Sequence, residues 1–116
     1  MRPDTLGALE DIRDAAQNIV DDVADETFAS FVHDRRVRQL VERNFEIIGE
    51  VVNRLWRRDP SIAVRISSYK KIISLRNQLI HAYDTIDYEL IWQITQEFLP
   101  VLRTEIELLI MEAETP

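Results

Sequence analysis

The sequence predicts an all-α fold, a single antiparallel bundle of four to five helices, and two observations carry that prediction. Only two glycines and four prolines occur in 116 residues, too few for the turns of a β-rich chain. Apolar residues also recur at steps of three and four through most of the length, with no strand-like alternation. At this length, with 46% apolar and 30% charged residues, residues 1–116 read as one globular domain.

The first helix is marked by Leu6, Leu9, Ile12, Ala16, Ile19 and Val23, one apolar stripe, with Pro3 and Asp4 suited to its first turn. The acidic stretch DDVADE ends it, and Thr27 or Asp25 is placed to cap the next helix. That second helix is expected to run unbroken from Phe28 to Arg58, through Phe31, Val37, Val41, Phe45, Ile48, Val52 and Leu55. Asp59-Pro60-Ser61 stops it, because proline excludes the residue before it from the helical region and donates no amide hydrogen.

A third helix resumes in SYKKIISLRNQLIHAY, with Ile72, Leu75, Leu79 and Ala82 facing inward. Asp84 to Asp87 forms a turn that caps the last helix, Tyr88 to about Met111, which Pro100 is expected to bend. Short connections make sequential helices antiparallel neighbours.

Several function classes fall away. No apolar run approaches the roughly 20 residues of a membrane span, and the N-terminus has no hydrophobic signal core, so a cytoplasmic protein is expected. The absence of cysteine excludes disulfides and zinc fingers. The acid pairs Asp21-Asp22 and Glu105-Glu107 diverge around a helix without a histidine beside them, so neither a metal nor another cofactor is expected.

The net charge of -7 conceals a strong segregation, with sums of -7 over residues 1–34, +7 over residues 35–76 and -7 over residues 77–116. The basic middle would attract a polyanion, or it pairs with the acidic helices inside the bundle; charge alone leaves both open.

The stretch SLRNQLIHAYD sets Arg76, Asn77, His81 and Tyr83 within eight positions. On an ideal helix Arg76 lies in line with Tyr83, Asn77 nearly in line with His81, and Arg76 and His81 stand about 140° apart. The pair therefore does not share a face automatically. Cleaving RNA without a metal needs a base, an acid and a cation for the crowded phosphate, roles that histidine and arginine fill. A symmetric dimer packed through Ile73 and Ile80 would supply Arg76 and His81 twice. The plainer reading is that Arg76 pairs with a carboxylate and His81 sits at a helix end.

RNQLIHAY resembles the RNxxxHxY motif of HEPN-domain proteins, specifically the HepT-like toxins of prokaryotic toxin–antitoxin pairs. VERNFEIIGEVVNRL is similar to the family's second helix around Ile48, Gly49 and Glu50, and IDYELIWQITQEFLPVLRTEI to its last helix. The resemblance implies a homodimeric four-to-five-helix bundle that cuts RNA without metal in a composite groove. Arg76 and His81 would be its catalytic pair and Asn77 the supporting polar residue. It also implies that Tyr83 is adenylylated by a cognate MntA-type minimal nucleotidyltransferase antitoxin. The chain departs from many relatives at Ser74-Leu75, where they carry glycine-methionine, and in RRDPSIAVRISSYKKI, which lacks their proline and tryptophan pattern.

Lys70 and Lys71 are candidates for binding the RNA backbone. Gly49 is expected to permit close helix approach, Glu50 to orient Arg76 or face water, and His33 to lie away from the site. Trp56 and Trp92 are expected as core or interface anchors rather than base-stacking platforms. The rival class is a non-catalytic helical partner that docks a nucleotidyltransferase without cutting RNA.

Overall fold

The computed structural model describes residues 1–81 and 83–115, with the side chain of Tyr83 outside the described set. Helix α1 (Pro3–Val23) opens on Pro3, whose fixed φ suits the first turn. Helix α2 (Phe28–His33) is capped by Thr27, which exchanges side-chain and backbone bonds with Ser30. Helix α3 (Arg35–Arg58) follows after one residue.

The single helix expected from Phe28 to Arg58 is therefore broken at Asp34. Its backbone is extended (φ -102°, ψ 90°) and its carboxylate accepts a hydrogen bond from the Val37 amide at 3.1 Å. An aspartate that caps the next helix cannot also continue the previous one, which apolar periodicity does not reveal.

Asp59 ends α3 as the proline after it requires, and Pro60 opens the short α4 (Pro60–Ala63). The Asp59 carboxylate accepts from the hydroxyls of Thr5 at 2.8 Å and Ser61 at 3.0 Å, tying this corner to the start of α1. The Thr5 bond, with help from Ser61 and Arg2, holds the Asp59 carboxyl below its ordinary range.

Helix α5 (Tyr69–His81) carries the polar stretch singled out above. A 3₁₀ turn (Tyr83–Thr85) leads to α6 (Tyr88–Gln93), where Asp87 accepts from the Leu90 amide at 3.2 Å as the cap expected there. A π-helical turn (Ile94–Phe98) then joins α6 to α7 (Leu99–Glu114). Pro100 has no amide hydrogen to donate backward, and the chain widens just before it: the Leu99 amide reaches the Ile94 carbonyl, five residues back. The irregularity expected from Pro100 thus takes the form of a π turn.

Helix α3 is the centre of the bundle, with α1 packed on one side and α5 on the other, while α7 closes against α1. Ile12, Ile19, Ile48, Leu102 and Ile106 are buried at this centre. Each contributes about 1.5–3 kcal/mol by leaving water. Between α5 and the α6–α7 rod lies a cavity of about 370 Å³, lined by Phe45, Ile48, Ile72, Leu75, Ile94 and Leu102 among others. The architecture is the all-α bundle anticipated, with two short helices, α2 and α4, added to the principal rods. No helix among the described residues is long and apolar enough to cross a membrane.

Helix α6 is fastened by aromatic rings. Tyr88 meets Phe31 edge-on at 6.5 Å, Trp92 lies 5.3 Å from Phe31, and the Arg38 guanidinium sits 4.7 Å from the Tyr88 centroid. Trp92 is thus the core anchor expected. Arg38 also donates to the Val32 carbonyl, joining α3 to the end of α2. Glu42, one turn beyond Arg38, has a buried carboxylate oxygen without a partner among the described residues. Burial pushes its carboxyl above the ordinary range, against the opposing pull of Tyr88 and Arg38.

A carboxyl raised by folding favours the native state below its unfolded pKa, and that contribution is lost as pH rises through the folded value. We predict that Glu42→Gln melts a few degrees higher than the parent at about pH 8, with the difference shrinking toward about pH 4. Thermal melts followed by circular dichroism across that range check it; parallel curves would contradict it.

Candidate functional site

The site is organised by the absence of a side chain. A Cβ placed on Gly49 of α3 would lie 2.2 Å from Cβ and 2.9 Å from Cγ of Arg76 on α5, and 3.1 Å from the Ile72 carbonyl oxygen. No such atom fits. Glycine lets the two backbones approach, and the aliphatic stem of Arg76 lies against the α3 main chain. The expected role of Gly49 is confirmed, and its partner is the arginine of the polar stretch.

The seat leaves the Arg76 head poorly satisfied. Its Nη1 donates to Asn77 Oδ1 at 3.1 Å, while its Nε is buried and has no hydrogen-bond partner among the described residues. Among the described residues Arg76 takes part in no ion pair. The plainer expectation, an arginine matched to a carboxylate, is not met among the described residues. A half-buried cation with spare donors is suited to an anionic ligand that brings its own oxygens.

Asn77 is exposed beside Arg76, and His81 is exposed as the last residue of α5. Because α5 remains helical through His81, the angular offset of about 140° from Arg76 persists. One chain therefore presents the arginine against α3 and the histidine to solvent, on separate faces. The backbone of Tyr83 enters the 3₁₀ turn two residues beyond His81, and the proposed modification of its side chain lies outside the described residues.

The two candidate lysines part company. Lys70 is exposed with its ammonium 5.9 Å from the Tyr69 ring centroid, and in helical register it shares a row with Asn77. Lys71 is exposed at the lining of the apolar cavity on the other side of α5. Ile80, offered above as a dimer contact, is 40% exposed, while Ile73 is half-buried against the core.

The electrostatic question is answered in both directions. Arg65 grips Glu112 of α7 through two bonds of 2.6 Å, Arg54 approaches Asp11 of α1 at 4.0 Å, and Arg43 pairs with Glu46 at 3.3 Å. Part of the basic segment is thus neutralised by acids of the bundle. Arg57, Lys70, Lys71 and Arg76 form no ion pair among the described residues. They leave positive charge along the α3–α5 side.

Glu50 faces the shallow groove between α1 and α3, lined also by Asn44 and Arg54, and does not orient Arg76. His33 is exposed at the end of α2. Of the two anchor roles expected of Trp56, the core one is not taken: it is 39% exposed and stacked on Tyr69 at 5.0 Å. Tyr69 was not singled out from the sequence, although its spacing of seven from Arg76 would have placed both on one face of α5. Among the described residues no group of three histidine, cysteine, aspartate or glutamate side chains is arranged to hold a metal ion.

Comparison with known proteins identifies the family of the chain. Two proteins of Methanocaldococcus jannaschii that bear the name "Putative RNase" are similar over nearly their whole length. One is 32% identical over 90% of this chain and 95% of its own, the other 33% identical over 97% and 93%. A protein of Thermococcus cleftensis named "Probable ribonuclease HepT" is 31% identical over 85% of this chain and 89% of its own. No solved structure gives a significant match. The family model described as ribonuclease HepT-like matches residues 6–109, a span that takes in both Gly49 and the stretch from Arg76 to His81, and the chain belongs to that family.

Proposed function

We propose that the chain is the toxin of a toxin–antitoxin pair, an endoribonuclease that works as a symmetric homodimer and cleaves RNA without a metal. The observation that carries the reading is the seat of Arg76: an arginine whose aliphatic stem is pressed against Gly49 and whose guanidinium is unpaired with any described carboxylate, adjacent to exposed Asn77 on the helix that ends in His81. The ribonuclease names of the relatives support the substrate class.

In this mechanism Arg76 holds the non-bridging oxygens of the scissile phosphate. One neutral His81 takes the proton of the 2′-hydroxyl, and the 2′-oxygen bonds to phosphorus. The bond to the 5′-oxygen breaks as the His81 of the second protomer, protonated, delivers its proton to that leaving oxygen. The products are a 2′,3′-cyclic phosphate and a free 5′-hydroxyl, with no net change in protons across the two imidazoles. Two chains are required because each offers only one histidine in the motif and holds it away from its own arginine.

Silencing follows from the same arrangement. A cognate minimal nucleotidyltransferase antitoxin transfers AMP from a nucleoside triphosphate to the Tyr83 hydroxyl and releases pyrophosphate. The added phosphate places negative charge two residues from His81, where it competes with the substrate phosphate.

Three outcomes are expected. With single- and double-stranded RNA in the presence of a chelator, the purified protein yields cyclic-phosphate ends, and His81→Ala lowers kcat by about 10²-fold or more. Cleavage that survives unchanged in His81→Ala, or that requires added metal, contradicts the mechanism. Arg76→Lys, which keeps the charge but loses the two-pronged grip, loses most of the activity. Gly49→Ala forces α3 and α5 apart at the arginine, lowering kcat by roughly 10²-fold and stability by about 1–3 kcal/mol. Single-turnover kinetics beside a denaturant melt separate the two effects, and full activity in Gly49→Ala would refute the role given to the glycine.

A further inference from the structure

The exposed stack of Trp56 on Tyr69 has no role in the reaction just described. The rings lie 5.0 Å apart with 28° between their planes, and the indole remains 39% exposed. Trp56 follows Gly49 by seven residues and Tyr69 precedes Arg76 by seven, so the stack is the next layer of the same antiparallel α3–α5 contact. That places it about 10.5 Å along the helices from the arginine seat.

The surroundings are cationic. The Lys70 ammonium lies 5.9 Å from the Tyr69 centroid, and Arg57 is exposed beside Trp56. Neither forms an ion pair among the described residues. Lys70 shares its row on α5 with Asn77, and His81 stands one turn further, so an exposed polar track runs from the stack to the end of the helix.

We propose that Trp56, backed by Tyr69, is a base-stacking platform for a nucleotide of single-stranded RNA lying beyond the scissile phosphate, with Lys70 meeting an intervening phosphate. This rests on the ribonuclease reading and deepens it. An indole face accepts any base, so the platform adds affinity and sets the preferred length and strandedness of the substrate rather than its sequence. A duplex, whose bases are already stacked and paired, cannot use it. A second copy of this surface is a poorer occupant, because an isologous contact would set Arg57 and Lys70 against their own copies, whereas a polyanion neutralises them.

The test titrates His81→Ala protein, which holds RNA without cutting it, with oligouridylates while following tryptophan fluorescence. A Trp92→Phe background leaves Trp56 as the sole reporter; should that background fail to fold, the difference between the parent and Trp56→Phe gives the same reading. RNA is expected to quench Trp56, Trp56→Ala to weaken a long oligonucleotide about tenfold, and Trp56→Phe to retain most of the affinity. A dinucleotide, too short to reach the stack, is expected to bind Trp56→Ala and its parent equally.

Unquenched Trp56, or equal affinity of the long oligonucleotide for Trp56→Ala and its parent, overturns the proposal. So does a loss in Trp56→Ala that sedimentation traces to dissociation of the protein, since the ring would then be an interface residue. Failure of the ribonuclease reading is separable: the unmodified protein would leave RNA intact while Trp56 still reported its binding.

Discussion

The contact of the α3 backbone at Gly49 with the stem of Arg76 is the constraint on which the rest of the site depends. With a hydrogen in place of a methyl, two helices approach until an arginine that would otherwise extend into water is braced against main chain. Bracing removes rotamer freedom before any ligand arrives, so less entropy would be lost on binding the phosphate that the proposed mechanism places there. The same contact sets the separation of α3 and α5, and α3 is the rod on which both α1 and α5 pack. Core packing and site geometry are therefore one problem in this molecule.

The arrangement also accounts for an electrostatic choice. The acidic helices that flank the basic segment neutralise arginines around the rim, as at Arg65 and Glu112, where both partners are exposed and the pair adds little to stability. Among the described residues no carboxylate pairs with Arg76 at the seat, and the guanidinium retains a buried nitrogen without a partner among them. An unmet donor in a partly buried cation costs the folded protein free energy. In the proposed mechanism the substrate phosphate would supply the missing acceptor and recover that cost on binding. The Glu42 carboxylate, raised by burial near Tyr88, is a second place where polar groups are incompletely matched.

Much of this was legible in the sequence, and the misses have physical reasons. Apolar periodicity located the principal rods, and Thr27, Asp59-Pro60 and Asp87 marked their ends, because capping and proline geometry are local. The break at Asp34 was hidden because an aspartate within a continuous apolar pattern looks like any solvated position until its carboxylate is seen on the Val37 amide. RNQLIHAY and the glycine of IIGE were both visible, but their contact is a long-range fact that neither helix contains alone. Trp56 was expected as a core or interface anchor on the strength of its apolar neighbours; the seven-residue register shared by Trp56–Tyr69 and Gly49–Arg76 was the available signal that it stands in the layer next to the arginine seat.

The central claim is that one chain carries half of a catalytic site, because Arg76 and His81 leave α5 on different faces. Mixing protomers tests this most directly. Parent and His81→Ala proteins are unfolded together, refolded and assayed for RNA cleavage, with differential tags used to isolate the mixed dimer. Because the base and the acid are the His81 side chains of the two protomers, the mixed dimer is expected to be as inactive as the His81→Ala dimer. A mixed dimer that keeps a large share of the parent activity would show that each chain carries a complete site and would contradict the account.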